Sequence, residues 1–345
     1  MPPDTSAPNP SRREFGLIEQ IPEGWRAPLG LLVFSVITVF VVTAREWGEM
    51  FHQWWNIDTY NHILFVPAII GWLVWIRRRE LFALTPQPWI PGLALVFAGL
   101  ALWLVGRATG INLLAHAGAV GAVQGAVVAI LGLRVSLFLA LPIAFGAFLV
   151  PFGDELIPAL QMITADIAIA LTHWSGVPAT IDGIYIDTPV GLFIVAEACS
   201  GVKFLVAMVT LAVLVCFTRF DSWVRRLAFL AASIVIPILA NGVRAWGTIY
   251  IAQSQGVEFA AGFDHIFYGW IFFAIVVVVL LGAAWRFFER EPEEYGWRVD
   301  ELGDWAWVGR SENSSASVAT TGGAIAAMSF AAALAAAIVA PIAIG

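Results

Sequence analysis

The sequence predicts an all-α polytopic membrane protein with about eight core transmembrane helices plus one C-terminal helix, a short extracytoplasmic helix and a possible hairpin. Of the 345 residues, 60% are hydrophobic and 12% charged, and the mean hydropathy is +0.83. Soluble domains are about 45–50% apolar and about 25% charged. Apolar runs of roughly 15–22 residues recur, and about 20 residues cross a bilayer core. The net charge of −7 argues against nucleic acid as a partner, because no basic face can neutralise phosphates.

Apolar runs bounded by charges or turn residues give nine predicted spans. They are Leu29–Thr43, His62–Ile76, Pro91–Val105, Asn112–Leu131, Val135–Val150, Gly201–Phe217, Leu227–Tyr250, Ile266–Ala284 and Gly323–Ile344. The fourth is rich in Gly and Ala, which allow neighbouring helices to approach closely. We expect the chain to divide into an N-terminal tail (1–28), a transmembrane core domain (29–284), a linker (285–322) and a C-terminal transmembrane helix (323–345).

The distribution of basic residues predicts the orientation of these spans. With the N-terminus inside and the spans alternating, fourteen of the eighteen Lys and Arg residues fall on the inner side. Cytoplasmic loops of membrane proteins carry such an excess. Arg45, Arg107 and Arg244 remain on the outer side, and Lys203 lies just inside a span. We therefore expect a multi-pass membrane protein with its N-terminus on the cytoplasmic side.

The segment Pro151–Ala198 fits no predicted span and lies outside. Its first part predicts an amphipathic helix with Ile157, Leu160, Ile163, Ile167 and Leu171 on one face, opposite Gln161, Thr164 and Asp166. We expect this helix to lie in the outer interface. The run Ala179–Val195 has the alternation and turn residues of a short strand or hairpin. Irregular backbone at membrane depth requires burial or water, so we expect the segment to cover an outward-facing cavity.

Three chemically distinctive residues fall at the outer ends of three successive spans. Cys199 immediately precedes the sixth span, Arg244 lies near the outer end of the seventh, and His265 begins the eighth. A Cys thiol is activated by a neighbouring His or by the positive end of a helix. His265 is suited to removing the thiol proton and protonating a departing amine. Arg244 stays charged and suits an oxyanion. The three side chains together predict thiol-based acyl transfer.

Each residue also has a simpler interpretation. A lone membrane Cys usually packs, as we expect for Cys216, which lies within an apolar run. His265 alone fits a helix cap with Asp264, and Arg244 alone fits snorkelling to lipid headgroups. Asn241, one helical turn before Arg244, fits a supporting role and an interhelical hydrogen bond equally well.

Residues around the cysteine strengthen the catalytic interpretation. Glu197 and Lys203 are ionisable groups at a membrane boundary, where they are costly unless they pair or take part in function. Gly201 permits close backbone approach, and Ser200 can cap the following helix. We therefore assign supporting or substrate-binding roles to Glu197, Ser200, Gly201, Lys203, Asn241 and Asp264.

The motifs Glu197-Ala198-Cys199-Ser200-Gly201-Val202-Lys203 and Asn241-Gly242-Val243-Arg244, followed by His265, resemble those of the exosortases. The resemblance covers roughly residues 30–290, with the specific matches in 197–270. It implies a membrane protease or transpeptidase of the Gram-negative inner membrane, with an active site facing the periplasm and a common association with exopolysaccharide genes. Cys199 would be the nucleophile, Arg244 the transition-state stabiliser and His265 the acid and base.

The resemblance also implies the partners of the protein. Its substrates would be exported proteins with a C-terminal sorting signal: a short Pro-Glu-Pro motif, a transmembrane helix and a basic tail. The acceptor is unknown, and the residues do not distinguish transpeptidation from hydrolysis. Some relatives carry a further extracytoplasmic domain after the last helix, and we expect it to be absent or trimmed here. We expect no cofactor and no metal, since the five His residues lack ligand spacing.

Two other classes of function remain open from the sequence. A transporter or exopolysaccharide-export component would place ionisable groups near the midplane on broken, repeated helices, whereas here they gather at one face. A non-catalytic assembly scaffold would tolerate replacement of Cys199.

Overall fold

The computed structural model describes residues 21–263, 271–305, 307–308 and 317–339. Its helices are α1 (Glu23–Val42), α2 (Ala44–Asn56), α3 (Val66–Ile76), α4 (Arg78–Leu81), α5 (Leu93–Thr109), α6 (Asn112–Leu131), α7 (Leu133–Phe138), α8 (Ala140–Phe145), α9 (Ile157–Trp174), α10 (Val202–Arg219), α11 (Trp223–Gln255), α12 (Val257–Phe263), α13 (Phe273–Trp285), α14 (Val299–Asp304) and α15 (Val318–Val339). The strands are β1 (Thr180–Asp182), β2 (Tyr185–Thr188) and β3 (Gly191–Ile194).

Seven helical segments of the described residues are long and apolar enough to cross a membrane. They are Glu23–Val42, Ile90–Thr109, Asn112–Leu131, Asp154–Trp174, Val202–Arg219, Trp223–Gln255 and Ala319–Ala336. The pair α2 and α3, with the turn between them, forms an eighth if a segment bent by 108° is counted as one span. The predicted fold class, an all-α polytopic membrane protein, is confirmed.

Helices α5 and α6 pack antiparallel with their backbones in contact. A Cβ atom at Gly106 would lie 2.2 Å from the backbone nitrogen of Ala115, and one at Gly118 would lie 2.2 Å from that of Trp103. Only glycine permits this approach, as expected for a helix rich in small residues. The terminal helix α15 joins the same core, where Ile325 is fully buried.

One predicted span is broken in the structure, and one segment between predicted spans is helical. The span predicted over 135–150 is divided into α7, α8 and a 3-10 turn, Gly146–Leu149. The break between α7 and α8 follows Phe138, because Pro142 lacks the N–H that would bond the carbonyl of Phe138. The segment between the first two predicted spans, residues 44–61, contains α2. Its buried Glu46 is paired with Arg107 at 3.3 Å, and its Glu49 lies 3.4 Å from His116, so polar partners on α5 and α6 hold this charged helix against the bundle.

Helix α10 is antiparallel to the first part of the much longer α11. Near one end, the thiol of Cys216 donates to the carbonyl of Arg226 over 3.3 Å. At the other end, Gly201 lies against the side chain of Asn241. At 1.5 Å per residue, α10 is about 27 Å long and α11 about 50 Å. The last part of α11 therefore extends beyond the end of α10 at which Cys199 lies, which we call the Cys199 end.

Helix α9 and the sheet pack on this extension. Thr164 contacts Asn241, and Ser175 accepts a hydrogen bond from the Trp246 indole over 3.2 Å, so α9 runs parallel to the second half of α11. Gly153, just before α9, lies against Val202 and Val206 at the start of α10. Helix α9 is long and apolar enough to be a membrane span. It nevertheless starts beside the first turns of α10 and extends beyond the Cys199 end of that helix.

The predicted strand or hairpin over 179–195 is a three-stranded antiparallel meander in the order β1-β2-β3. Its register pairs Ile181 with Ile186 and Ile186 with Phe193. Ile186 is buried against Ile169 of α9 and Ile249 of α11. The sheet therefore covers the projecting part of α11, next to the Cys199 end.

The prediction of a polar, solvent-facing side of α9 is wrong for two of its three residues. Gln161 and Thr164 are buried, whereas Ile163 of the predicted apolar face is exposed, and only Asp166 is exposed as expected. The buried face of α9 carries hydrogen-bonding groups because it packs against an irregular turn with backbone carbonyls to satisfy.

Candidate active site at the start of α10

Cys199 ends a 3-10 turn, Glu197–Cys199, that leads into α10. The Cys199 N–H donates to the carbonyl of Ala196 over 2.8 Å, and the Ser200 N–H donates to that of Glu197 over 3.0 Å. Gly201 follows with φ of +84°, a left-handed conformation that favours glycine, and α10 begins at Val202. The half-buried thiol-bearing residue therefore lies at the amino end of a helix, where the helix dipole favours a thiolate.

Asn241 of α11 holds this turn from the side. Its buried side-chain amide donates to the carbonyl of Cys199 over 2.8 Å and to the hydroxyl of Thr164 over 3.0 Å. The Asn241 side chain also occupies the space beside Gly201: a Cβ atom added to Gly201 would lie 2.7 Å from Asn241 Cγ. The interhelical hydrogen bond considered for Asn241 is therefore present, and it is made to the nucleophile candidate's own backbone.

Two further polar residues on α9 support the turn. The buried Gln161 side chain donates to the carbonyl of Val195 over 2.7 Å, and the Thr164 hydroxyl lies 3.5 Å from the carbonyl of Ser200. Sequence reasoning placed both residues on a solvent-facing side. Their burial could have been predicted from their spacing, because the two polar residues lie one helical turn apart in a segment otherwise rich in Ile, Leu and Ala.

Arg244 lies one turn after Asn241 and is 8% exposed. Its guanidinium carbon lies 5.9 Å from the centre of the Phe204 ring, within the range of a cation–π contact. Arg244 also lines a narrow crevice with Phe204, Phe272 and Phe273. The buried cation thus lies beside Phe204 in the first turn of α10, which directly follows the turn of Cys199.

Cys199, Asn241 and Arg244 line one cavity of about 70 Å³. The rest of its wall comes from the sheet and the projecting part of α11: Ile186, Phe193, Ile194, Val195, Ala245, Thr248 and Ile249. The polar side-chain groups in its lining are therefore a thiol, an amide, a guanidinium and the Thr248 hydroxyl, set among apolar residues. Such surroundings strengthen electrostatic interactions with developing charge.

The remaining predicted site residues differ in position. The Ser200 hydroxyl accepts from the N–H of Val202, the first residue of α10, over 3.4 Å. Glu197 is exposed, and the Lys203 ammonium lies 5.2 Å from the Phe204 ring centre; neither is among the residues that line the cavity. Asp264 and His265 lie outside the described residues.

Cys216 lies near the opposite end of α10 and is buried. The two cysteines are not joined by a disulfide, since 17 residues of separation correspond to about 25 Å along a helix. Among the described residues, no three His, Cys, Asp or Glu side chains are grouped so that they would hold a metal ion.

A family model described as transmembrane exosortase (Exosortase_EpsH) matches residues 54–282, about two thirds of the chain. The match runs from α2 to α13 and includes the turn of Cys199 and the helix of Arg244. No curated protein and no solved structure matches the chain.

Proposed function

The chain belongs to the transmembrane exosortase family, and from that premise we propose that it is a membrane-embedded cysteine protease or transpeptidase acting through a Cys199 thioester. The observation that carries this proposal is that Cys199 and Arg244, from different helices, line the same cavity. Its substrates are exported proteins with a C-terminal Pro-Glu-Pro-type signal, a transmembrane helix and a basic tail. It acts at the outer face of the inner membrane.

In the proposed reaction, His265 removes the thiol proton and the Cys199 sulfur attacks the scissile carbonyl carbon. The carbon–oxygen double bond becomes a single bond, and Arg244 stabilises the resulting oxyanion. As the carbon–nitrogen bond breaks, His265 returns the proton to the leaving amine and a thioester remains. An acceptor amine or water then attacks the thioester carbonyl and releases the thiol. Removal of one such oxyanion donor typically costs about 10²–10³ in rate.

The arrangement of the turn supports this assignment of the nucleophile. Its carbonyl is held by Asn241 and it precedes the amino end of α10, so both position and helix dipole favour a reactive thiolate. Cys216 lacks these features because it is buried within a helix and its thiol donates to the Arg226 carbonyl.

The test is substitution of the proposed nucleophile with a matched control at the second cysteine. Cys199→Ala and Cys199→Ser should cause a tagged exported protein with the C-terminal signal to accumulate uncleaved, whereas Cys216→Ser should process it normally. Mass spectrometry of the purified protein should locate a hydroxylamine-sensitive acyl adduct on Cys199. Normal processing by Cys199→Ala would exclude the cysteine mechanism.

A further inference from the structure

The end of the bundle opposite Cys199 contains an apolar groove between α8 and α10. Its volume is about 550 Å³, and its apolar wall includes Leu141, Phe145 and Phe148 on one side and Val213 and Phe217 on the other. Phe145 is buried in the core, whereas the other four residues are half-buried and leave apolar surface towards the groove. The groove therefore has the composition of a surface that a lipid chain or a further membrane helix would cover.

The groove opens into a charged cavity of about 910 Å³, which we call the vestibule. The two share Asp221, Arg290, Gly296 and Glu301. Seven carboxylates and three guanidinium groups line the vestibule, an excess of four negative charges. The apolar groove thus ends at a strongly acidic surface.

Part of this acidic charge is compensated within the protein. Arg77 pairs with Glu80 at 2.8 Å, Arg298 lies 3.6 Å from Asp300, and Arg290 pairs with Asp221. Glu289 is paired with Arg225 at 2.9 Å.

Three exposed carboxylates of the vestibule, those of Glu293, Glu294 and Glu301, form no ion pair within the described part of the chain. They offer unused acceptor capacity to a cation that enters from the groove.

This charge is the opposite of what the predicted orientation leads one to expect. The vestibule lies at the Arg219 end of α10, which the distribution of basic residues assigns to the cytoplasm. Anionic lipid headgroups on that side repel carboxylates and attract basic segments. A basic partner would stabilise a cluster of uncompensated carboxylates at this end.

We propose that the groove docks a single transmembrane helix whose basic tail enters the vestibule. The inference rests on the proposed function, in which the occupant is the C-terminal helix and tail of the substrate. Charge complementarity selects this occupant over a lipid, since the vestibule carries excess negative charge and an apolar groove alone would accept either. The carboxylates then act as the docking site for the end of the substrate that is not cleaved.

The length of α10 sets the distance between the vestibule and the level of Cys199, which the helix of such a substrate would have to span. The 18 residues of α10, Val202–Arg219, correspond to about 27 Å, close to the thickness of a bilayer core. The aromatic rings of Phe145, Phe148 and Phe152 follow one another at 5.1 and 6.3 Å from the groove towards the start of α10. A helix with its basic end in the vestibule would therefore present its other end at the level of Cys199.

The test is photocrosslinking in phosphatidylcholine nanodiscs with full-length Cys199→Ala protein that carries p-benzoylphenylalanine in place of Phe148. The probes are two synthetic peptides with the same Leu/Ala helix of about 20 residues, one ending in several Arg and the other in Gln. We expect about tenfold more crosslinking to the Arg peptide than to the Gln peptide, because about three exposed ion pairs together contribute enough free energy for a tenfold difference in affinity. This preference should decrease as the salt concentration rises.

A charge-neutral variant separates the vestibule from general electrostatics. The triple variant Glu293→Gln, Glu294→Gln, Glu301→Gln should remove the preference for the Arg peptide, while its amide oxygens still accept the N–H bonds that Glu294 and Glu301 accept from Glu291 and Arg298. The matched control, Asp166→Asn, Asp182→Asn, Asp187→Asn, removes as many exposed charges at the Cys199 end and should keep the preference.

The possible results decide between the two proposals. Equal crosslinking of both peptides, crosslinking of lipid alone, or an unchanged preference in the triple variant would overturn the docking proposal. If the wild-type protein processes no substrate but the Arg preference holds, docking stands and the protease proposal fails. If the triple variant cleaves substrate at the wild-type rate, docking fails and the protease proposal stands.

Discussion

The side-chain amide of Asn241 donates a hydrogen bond to the backbone carbonyl of Cys199 over 2.8 Å. This bond joins α11 to the turn before α10, and the same side chain reaches Thr164 of α9. Three segments that are distant in sequence are therefore held together at one buried amide. Because Arg244 follows Asn241 by one helical turn, the interaction that fixes the proposed nucleophile also fixes the distance between Cys199 and the helix that bears the cation.

Asn241→Ala should leave the Cys199 carbonyl and the Thr164 hydroxyl without this donor. Leaving a buried polar group unsatisfied costs about 1–3 kcal/mol, so we expect a lower melting temperature and loss of substrate processing. Asn241→Asp should be more harmful, since a carboxylate oxygen would face a carbonyl. The exposed Asn56→Ala is the control. Wild-type stability and processing in Asn241→Ala would show that the amide does not hold the turn.

Gly201→Ala should disrupt the same contact by a different route. Gly201 has φ of +84°, and an added Cβ would lie 2.7 Å from Asn241 Cγ. The left-handed conformation itself costs about 1–2 kcal/mol for a residue with a Cβ. Gly176→Ala is a matched control, because Gly176 has φ of +80° and open space around its Cβ position.

We expect both glycine variants to lose stability, and Gly201→Ala alone to lose processing, since only it displaces Asn241. Equal processing by the two variants would mean that displacement of Asn241 has no effect on Cys199.

Gln161→Ala should weaken the attachment of residues 195–199, the segment before α10, to α9. The Gln161 side chain donates to the carbonyl of Val195 over 2.7 Å, and its removal leaves that carbonyl unsatisfied at a cost of about 1–3 kcal/mol. In a Cys216→Ser background, Cys199 is the single thiol, and its rate of alkylation by iodoacetamide across pH reports its position and thiolate fraction. We expect this profile to change in Gln161→Ala and to stay unchanged in the exposed control Met162→Ala. An unchanged profile in both would assign Gln161 a purely structural role.

The sequence predicts the parts of this molecule that depend on long apolar runs and on residue chemistry. The span Asn112–Leu131 was predicted with its observed ends, because charges and turn residues bound it. Cys199 and Arg244 were placed at one depth by counting spans, and the structure brings both to one cavity. In these cases the signal is local, or follows from the alternation that a bilayer imposes.

Features that depend on partners distant in sequence were missed. Gln161 and Thr164 look solvent-facing because a helical pattern assigns polar residues outward, whereas their partners are the carbonyls of Val195 and Ser200. Helix α2 was not predicted because its charged residues look unfavourable for packing on a membrane bundle, whereas Glu46 and Glu49 find their partners in Arg107 and His116, which are distant in sequence. The break near Pro142 is different, since the proline itself was a sufficient signal.

Glu289 should stabilise the start of α11 in a pH-dependent manner. Its carboxylate accepts from the N–H groups of Ser222 and Asp221 over 2.9 and 2.7 Å. These hydrogen bonds, and then Arg225, lower the pKa of Glu289. A lowered pKa in the folded state gives stability above the unfolded value, about 4.3 for Glu, which is lost as the pH falls through the folded pKa.

Melting temperatures across pH should therefore show Glu289→Gln less stable than wild type at neutral pH, with the difference disappearing below about pH 4. The exposed Glu258→Gln serves as the comparison. A difference of constant size across this range would rule out the titration of Glu289 as its source.

Tyr295 should fix the segment after α13 to α3. The residue is fully buried, and its hydroxyl donates to the carbonyl of Leu73 over 2.9 Å. The Arg77 guanidinium donates to the backbone carbonyl of Tyr295 over 2.5 Å. Tyr295→Phe should lower the unfolding free energy by about 0.5–1.5 kcal/mol, the typical value of one hydrogen bond. The half-exposed Tyr250→Phe is the control and should have little effect.

The pH dependence gives this prediction a second measurement. Burial raises the pKa of Tyr295 to about 12, above the unfolded value of about 10. The folded state therefore binds the phenolic proton more tightly, and the stability that this contributes is present below about pH 10 and lost as the pH rises towards the folded value. Chemical unfolding in detergent should show wild type losing stability over this range relative to Tyr295→Phe. Parallel profiles for the two proteins would contradict a buried, hydrogen-bonded phenol at this position.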